Sequence, residues 1–165
     1  MKTVYLGLGS NSGDRQKHFT NAVVSINRLP DTTLEQTSSV YETIPKDMES
    51  ENPFLNCVVQ IETSVPSLDL LDALKDIETQ LGRTESVPGA YTDRPIDIDI
   101  LLYGDECCKL DRLTVPHCRL HERPFVLIPL NEIAPQMVHP VRLQTSAQML
   151  KKLTWNNSDI KRFEV

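Results

Sequence analysis

The stretch Arg94-Pro95-Ile96-Asp97-Ile98-Asp99-Ile100-Leu101-Leu102 reads as a β-strand interrupted by charge. Successive side chains on a strand point to opposite faces. Ile96, Ile98, Ile100 and Leu102 therefore form an apolar row, and Asp97 and Asp99 point the other way, roughly 6.6–6.8 Å apart along the strand. Two ionised carboxylates at that spacing repel each other, and bound cations relieve the repulsion. Hard oxygen ligands suit Mg²⁺, which takes one or two protein carboxylates and completes its shell with phosphate oxygens and water. Two such ions ~3.5–4 Å apart can activate an attacking oxygen and neutralise a phosphoryl group. Alone, a D-x-D is a weak signal that reads first as a solvated strand face, so its surroundings decide.

Moving outward, the order of elements over the first hundred residues is strand, helix, strand, strand, helix, strand. Residues 3–9 alternate, with Val4, Leu6 and Leu8 on one face and Tyr5, Gly7 and Gly9 on the other. Asp14 can cap a helix running to about Leu29, with Phe19, Ala22, Val23 and Ile26 on its stripe. Residues 33–43 read as a strand. Residues 54–63 read as another, with Leu55, Cys57, Val59 and Ile61 on one face and Phe54 and Asn56 on the other. Ser67 can cap a second helix to Leu81, whose stripe is Leu70, Leu71, Leu74, Ile77 and Leu81, with Gly82 as its C′ residue. The polar loops 43–53 and 83–95 separate these elements, and short proline-punctuated elements at 113–135 and a helix near 144–153 follow. This is an α+β pattern: a ferredoxin-like antiparallel sheet with a β-α-β-β-α-β core, helices on one face and C-terminal additions.

If the apolar rows face the helices, the opposite face collects Asp97, Asp99, Gly7, Gly9, Phe54 and Asn56. The glycines would leave room for a ligand against the sheet. Arg83, Arg94, Arg112, His117, Arg119, His121 and Arg123 flank the aspartates in sequence, and arginine forks suit phosphate oxygens. Glu78 falls inside the apolar stripe of its helix, where a carboxylate needs a partner. The run Gly7-Leu8-Gly9-Ser10-Asn11-Ser12-Gly13 is not G-x-G-x-x-G, and no P-loop is present, so a nucleotide would need another cradle. Ser10-Asn11 reads as turn chemistry.

With 165 residues, 39% of them hydrophobic and 24% charged, the chain suits a single domain, 1–165, with a real core. The net charge of −6 argues against a polyanion surface but leaves room for a small anion held by local arginines and cations. Cys57, Cys107, Cys108 and Cys118 lack zinc spacing and read as reduced thiols. Neither a signal peptide nor an apolar run near the ~18 residues of a membrane span is found, so a cytoplasmic protein is expected.

The segments Tyr5 to Asn11 (YLGLGSN), Ser38 to Thr43 (SSVYET), Pro53 to Asn56 (PFLN), Ile77-Glu78, Gly82-Arg83, Arg94 to Asp99 (RPIDID), Leu113 to His117 (LTVPH), Arg123 to Phe125 (RPF) and Pro129 to Pro135 (PLNEIAP) together resemble the 6-hydroxymethyl-7,8-dihydropterin pyrophosphokinases of folate biosynthesis. They come in the family's order and cover nearly the whole chain. The resemblance implies pyrophosphate transfer from ATP, the co-substrate, to the pterin's hydroxymethyl group, with release of AMP. It implies catalytic roles for Arg83, Arg94, Asp97 and Asp99, and two Mg²⁺ ions on Asp97 and Asp99. It implies an ATP site of Glu78, Arg83, Arg94, Ile100, Thr114, His117 and Arg123, and a pterin site of Thr43, Ile44, Phe54, Asn56, Asp97 and Phe125. A monomer is expected, with neither nucleic acid nor membrane as partner. The chain departs from the pattern where Tyr91 stands for a frequent tryptophan, where Cys118 follows the LTVPH motif in place of a tyrosine, where Phe54 replaces a tyrosine, and in the acidic loop 44–53.

Two other readings fit less well. A polymerase-β-type nucleotidyltransferase also combines Gly-Ser with D-x-D, but there the two motifs lie close together, whereas Gly9-Ser10 is far from Asp97. An RNA-binding sheet would want basic charge and surface aromatics, against −6 and 5% aromatic residues here.

Overall fold

The structure, a computed structural model, describes residues 1–44, 52–83 and 93–164. Strand β1 (Lys2–Ser10) leads to helix α1 (Arg15–Asn27), strands β2 (Thr32–Thr37), β3 (Tyr41–Thr43) and β4 (Phe54–Thr63), helix α2 (Ser67–Gln80) and strand β5 (Asp97–Tyr103). A small hairpin of β6 (Cys108–Lys109) and β7 (Thr114–Val115) follows, then a 3₁₀ turn (Leu120–Glu122), helices α3 (Pro124–Ile133) and α4 (Ser146–Lys151), and strand β8 (Ile160–Arg162). The main sheet has the order β5-β1-β4-β3-β8, with β2 also paired to β4, and its pairings are antiparallel.

Helix α1 starts where expected, because the Asp14 carboxylate accepts a hydrogen bond from the Lys17 amide at 3.1 Å and satisfies one free donor of the first turn. Helix α2 does not use the expected cap. Its N-cap is Pro66, while Ser67 lies inside the helix and donates its hydroxyl to Glu106 at 2.7 Å. Gly82 has φ +101° beyond the end of α2, as a C′ residue should. The expected strand 33–43 is two strands. The chain breaks pairing at Ser38, whose amide still donates to the Val58 carbonyl, and pairs again at Tyr41 with Asn56, three residues along β4 from Val59.

Val4, Leu6, Leu8, Leu55, Cys57, Val59, Ile61, Ile98 and Ile100 face α1 and α2 in one core. The second face is not free of helices. Helices α3 and α4 pack over Val58, Leu101 and Leu102 in a core of their own, so the molecule is layered helix, sheet, helix. Leu102 belongs to this second core, not to the α1–α2 side that strict alternation assigns to it. The pairing shifts register there, Tyr5 facing Leu102 but Leu6 facing Ile100, and the extra residue Leu101 inverts the alternation. Among the described residues no helix is long and apolar enough to cross a membrane.

Candidate active site

Cross-strand register builds the site. Asp97 pairs with Gly9, Gly9 with Asn56 and Asn56 with Tyr41, so a row runs across β5, β1, β4 and β3 on the face opposite α1 and α2. At about 4.8 Å per strand, Asp97 and Asn56 sit roughly 10 Å apart with a glycine between them. The next row is Asp99, Gly7 and Val58. There a Cβ on Gly7 would meet Leu101 Cδ2 at 3.3 Å, so the bulged leucine packs against this glycine. Gly9 is flanked by Asn56 and Phe54 instead. A Cβ there would come within 3.3 Å of Asn56 Oδ1 and 3.8 Å of Phe54. Helices α3 and α4 therefore cover one end of this face, and the Asp97–Gly9–Asn56 end stays accessible.

Asp97 is held by two arginines. Arg83 Nη1 donates to Oδ1 at 2.6 Å and Arg94 Nη1 to Oδ2 at 3.2 Å. Asp99 carries no hydrogen bond among the described residues. Burial, then the charges of Asp97 and Glu78, push its carboxyl up to about 6, against the opposing pull of Arg123 and Lys75. Among the described residues Asp99, unlike Asp97, has no cation within ion-pair distance. The donor set, two hard carboxylates with other coordination positions left over, fits Mg²⁺.

Glu78 is 2% exposed, beneath the site. Among the described residues strand β5 is at the sheet edge and its outward amides have no partner strand; Glu78 Oε1 accepts the Ile98 amide at 2.7 Å. Its Oε2 pairs with Arg83 Nη1 at 2.8 Å and Lys75 Nζ at 3.8 Å. Burial raises the Glu78 carboxyl, and the Ile98 amide, Arg83 and Lys75 offset only part of that. Burial also works against the charge on Arg83, but Asp97 and Glu78 outweigh it and hold the guanidinium above its ordinary value.

The other expected phosphate residues lie around this centre. Burial, then Arg119, lowers Arg123, while Asp99 and Asp97 support its charge; its guanidinium lies 5.6 Å from the Phe125 ring. His117 is held by its amide bond to the Leu101 carbonyl at 2.9 Å, and its Nδ1 accepts from the Arg119 amide at 3.2 Å. Burial, then Arg123 and Arg119, lowers its pKa against the pull of Asp97, and because Nδ1 accepts, the neutral ring carries its proton on Nε2. Thr114 is half-buried in β7. The Ile100 side chain is in the α1–α2 core at 3% exposure. Arg112 pairs with Asp72, Arg119 with Glu122, and His121 contacts Glu122 and Arg142, so these three do not converge on the aspartates.

On the other side, Asn56 is buried and donates Nδ2 to Thr43 Oγ1 at 2.9 Å, leaving Oδ1 toward the space above Gly9. Phe54, on the same strand, and Phe125, near the start of α3, are both half-buried, and Ile44 is exposed next to Thr43. Tyr91 and most of both long loops lie outside the described residues. The four cysteines are free thiols.

Sequence reasoning passed over Asn11, Asp93 and Arg15. Asn11 is 2% exposed, and it is more than a turn residue: its Oδ1 accepts the Arg94 amide at 2.7 Å, its amide donates to the Arg94 carbonyl at 3.1 Å and its Nδ2 donates to Asp93 at 2.8 Å. Arg15 donates to the Pro53 carbonyl at 3.0 Å and pairs with Glu42 at 2.9 Å. These long-range bonds leave no periodic trace. The one available signal was a polar residue directly after a glycine-rich strand.

Comparison with known proteins shows the family. The family model for 7,8-dihydro-6-hydroxymethylpterin-pyrophosphokinase (HPPK) matches residues 5–135. A 2-amino-4-hydroxy-6-hydroxymethyldihydropteridine pyrophosphokinase of Bacillus subtilis (strain 168) is 42% identical over 133 residues, 81% of this chain and 78% of the relative. The protein so named in Aquifex aeolicus (strain VF5) is 41% identical over 141 residues, 86% of each chain. A crystal structure of a Plasmodium falciparum HPPK-DHPS triple mutant superposes with a TM-score of 0.76 at 17% identity, covering 99% of this chain but 47% of that one, which shows the fold. The match to the family model over most of the length and the identity to relatives of similar size place this chain in the 7,8-dihydro-6-hydroxymethylpterin-pyrophosphokinase family.

Proposed function

We propose that the Asp97–Gly9–Asn56 row and the arginines around it carry out the family's reaction in residues 1–165 as one pyrophosphokinase domain. The enzyme transfers pyrophosphate from ATP to the hydroxymethyl group of 6-hydroxymethyl-7,8-dihydropterin in folate biosynthesis. The observation that carries the site assignment is the row itself: a carboxylate pair on one side, a buried amide with a free acceptor on the other, and a glycine between. The strand order β5-β1-β4-β2 with α1 and α2 on one face supports a ferredoxin-like core, extended by β3, β8 and the α3–α4 layer.

Asp97 and Asp99 would hold two Mg²⁺ ions, whose charge, when bound, would neutralise the triphosphate. Arg83, Arg94, Arg123 and His117 supply hydrogen-bond donors toward phosphate oxygens, and Arg83 is oriented from beneath by Glu78. Thr114 lies beside the nucleotide, and any contact from Ile100 comes from its backbone, because its side chain is core. Phe54 and Phe125 stack on the pterin, with Thr43 and Ile44 at its edge. Asn56 Oδ1 accepts a ring N–H, since its Nδ2 is committed to Thr43. The hydroxymethyl oxygen forms its bond to the β-phosphorus while the bond from that phosphorus to the α,β-bridging oxygen breaks. AMP leaves with that oxygen, and the hydroxyl proton is released. Positioning and charge neutralisation dominate such a transfer. We propose a monomer that works without nucleic acid or membrane partners.

The test is to incubate the enzyme with ATP, Mg²⁺ and the hydroxymethyl-dihydropterin and to follow AMP. Pterin-dependent AMP formation is expected; ADP in its place, or no pterin dependence, overturns the reading.

A further inference from the structure

The two substrate sides of the row are joined by a bridge of side chains at the sheet's open end. Asp93 immediately precedes Arg94, on the phosphate side. Asn52 precedes Pro53 and Phe54, on the pterin side. The Asp93 carboxylate accepts from both directions: Asn11 Nδ2 at 2.8 Å on Oδ1, and Asn52 Nδ2 at 2.7 Å on Oδ2. Asn11 in turn anchors Arg94 through the amide and carbonyl bonds given above, so Asp93 and Arg94 are fixed to the end of β1. Among the described residues, Asn52 is fastened to Asp93 and the Pro53 carbonyl to Arg15.

We propose that Asp93 is a positioning residue that couples the two substrate subsites: through Asn52 it makes the pterin-side segment follow the segment that carries Arg94. The proposal rests on the assignment of Arg94 to the phosphates and of Phe54 and Asn56 to the pterin. The physical basis is reciprocity. Any displacement of Arg94 by bound triphosphate is transmitted to residues 52–54, and pterin seated on Phe54 pre-sets Arg94, so each ligand raises the other's affinity by the same factor. Asp93 and Asn52 are both exposed. A charge-assisted hydrogen bond at such a position accounts for a coupling factor of about three- to tenfold.

The measurement is the dissociation constant of 6-hydroxymethyl-7,8-dihydropterin by calorimetry, with and without saturating α,β-methylene-ATP and Mg²⁺, on the full chain. Wild type should bind pterin more tightly with the nucleotide analogue present. Asp93→Asn keeps an acceptor for Asn11, and the Asn52 amide can turn over to accept from it, so the bridge loses its charge and about half its strength and the ratio should fall by about two- to threefold. Asn52→Asp combined with Asp93→Asn re-forms the bond with its polarity reversed, and the ratio should recover. A structural role alone would lower melting temperature and both affinities without changing the ratio, and would not be rescued. An unchanged ratio in Asp93→Asn, a wild-type ratio of one, or failure of the double variant to recover overturns the proposal. Arg94→Ala and Asn56→Ala separate it from the site assignment: each should weaken its own ligand. If neither does, the assignment falls and the bridge with it; if both do while Asp93→Asn keeps its ratio, only the bridge falls.

Discussion

Replacing Glu78 by alanine should destabilise the protein far more than replacing it by glutamine. The carboxylate is 2% exposed and accepts the Ile98 amide at 2.7 Å, a donor on the outer edge of β5 that has no partner strand among the described residues. Alanine leaves that amide buried without a partner, a cost of about 1–3 kcal/mol, and adds a cavity and a lost partner for Arg83, for a total of ~3 kcal/mol. Arg83 is not orphaned, because Asp97 still accepts from it at 2.6 Å, so the ~3–5 kcal/mol seen when a buried ion pair is broken outright is an upper bound. Glutamine keeps an acceptor for Ile98 and the side-chain volume. It loses the charge, but burial already disfavours the Glu78 carboxylate enough to raise its pKa despite Arg83 and Lys75. The glutamine variant should therefore cost about 1 kcal/mol or less. For a chain of this size ~3 kcal/mol is a fall of roughly 6–12 °C in melting temperature. Urea unfolding followed by circular dichroism, without nucleotide or Mg²⁺ so that ligand binding does not mask the effect, gives the free energies. Amide exchange at Ile98 should accelerate in the alanine variant and not in the glutamine variant. Equal losses for the two variants, or a loss under ~1 kcal/mol for alanine, would refute the argument that the acceptor is what matters.

Asp97→Ala and Asp99→Ala should each lower turnover by at least ~10² with the far-ultraviolet spectrum unchanged; near-normal rates in either would remove it from the metal pair. Gly9→Ala pushes a methyl to 3.3 Å from Asn56 Oδ1, so steady-state kinetics should show a raised KM for pterin with the KM for ATP little changed. The Tyr41 hydroxyl donates to Glu132 at 2.6 Å, and Ser39 donates to the same carboxylate from its amide and hydroxyl. Burial and then this bond raise Tyr41 from 10.0 to about 12, so its contribution is complete below pH 10 and is lost as pH climbs toward 12. Burial opposes the charge on Glu132, but the bonds from Tyr41 and Ser39 outweigh it and lower its pKa from 4.5, so its contribution is present above that value and lost as pH falls below it. Melting temperature against pH should therefore lose part of its alkaline limb in Tyr41→Phe and part of its acid limb in Glu132→Gln; unchanged limbs would show that the contact does not persist in solution.

Much of this protein is legible without coordinates because strand alternation and helical stripes are local consequences of the chain. The period of two in Ile96-Asp97-Ile98-Asp99-Ile100 separates core from chemistry, and the same period puts Gly9 and Asn56 on the aspartates' side. The Asp14 cap and the Gly82 stop are equally local. Tertiary structure decided the rest. Leu102 changes face because a bulge at Leu101, formed in pairing with β1, adds a residue that no periodicity announces. The same leucine packs against Gly7, a contact that alternation alone does not announce. Helices α3 and α4 close over the face that the pattern left open, which confines the site to one end of it. Of seven flanking basic residues, pairing with Asp72, Glu122 and Arg142 draws three away from the aspartates. Glu78, Asn11 and Asp93 act through bonds to residues 20, 83 and 41 positions away respectively. A sequence determines which side chains share a face, because that follows from backbone geometry. Which of them meet across strands and loops depends on the pairing and packing of the whole chain.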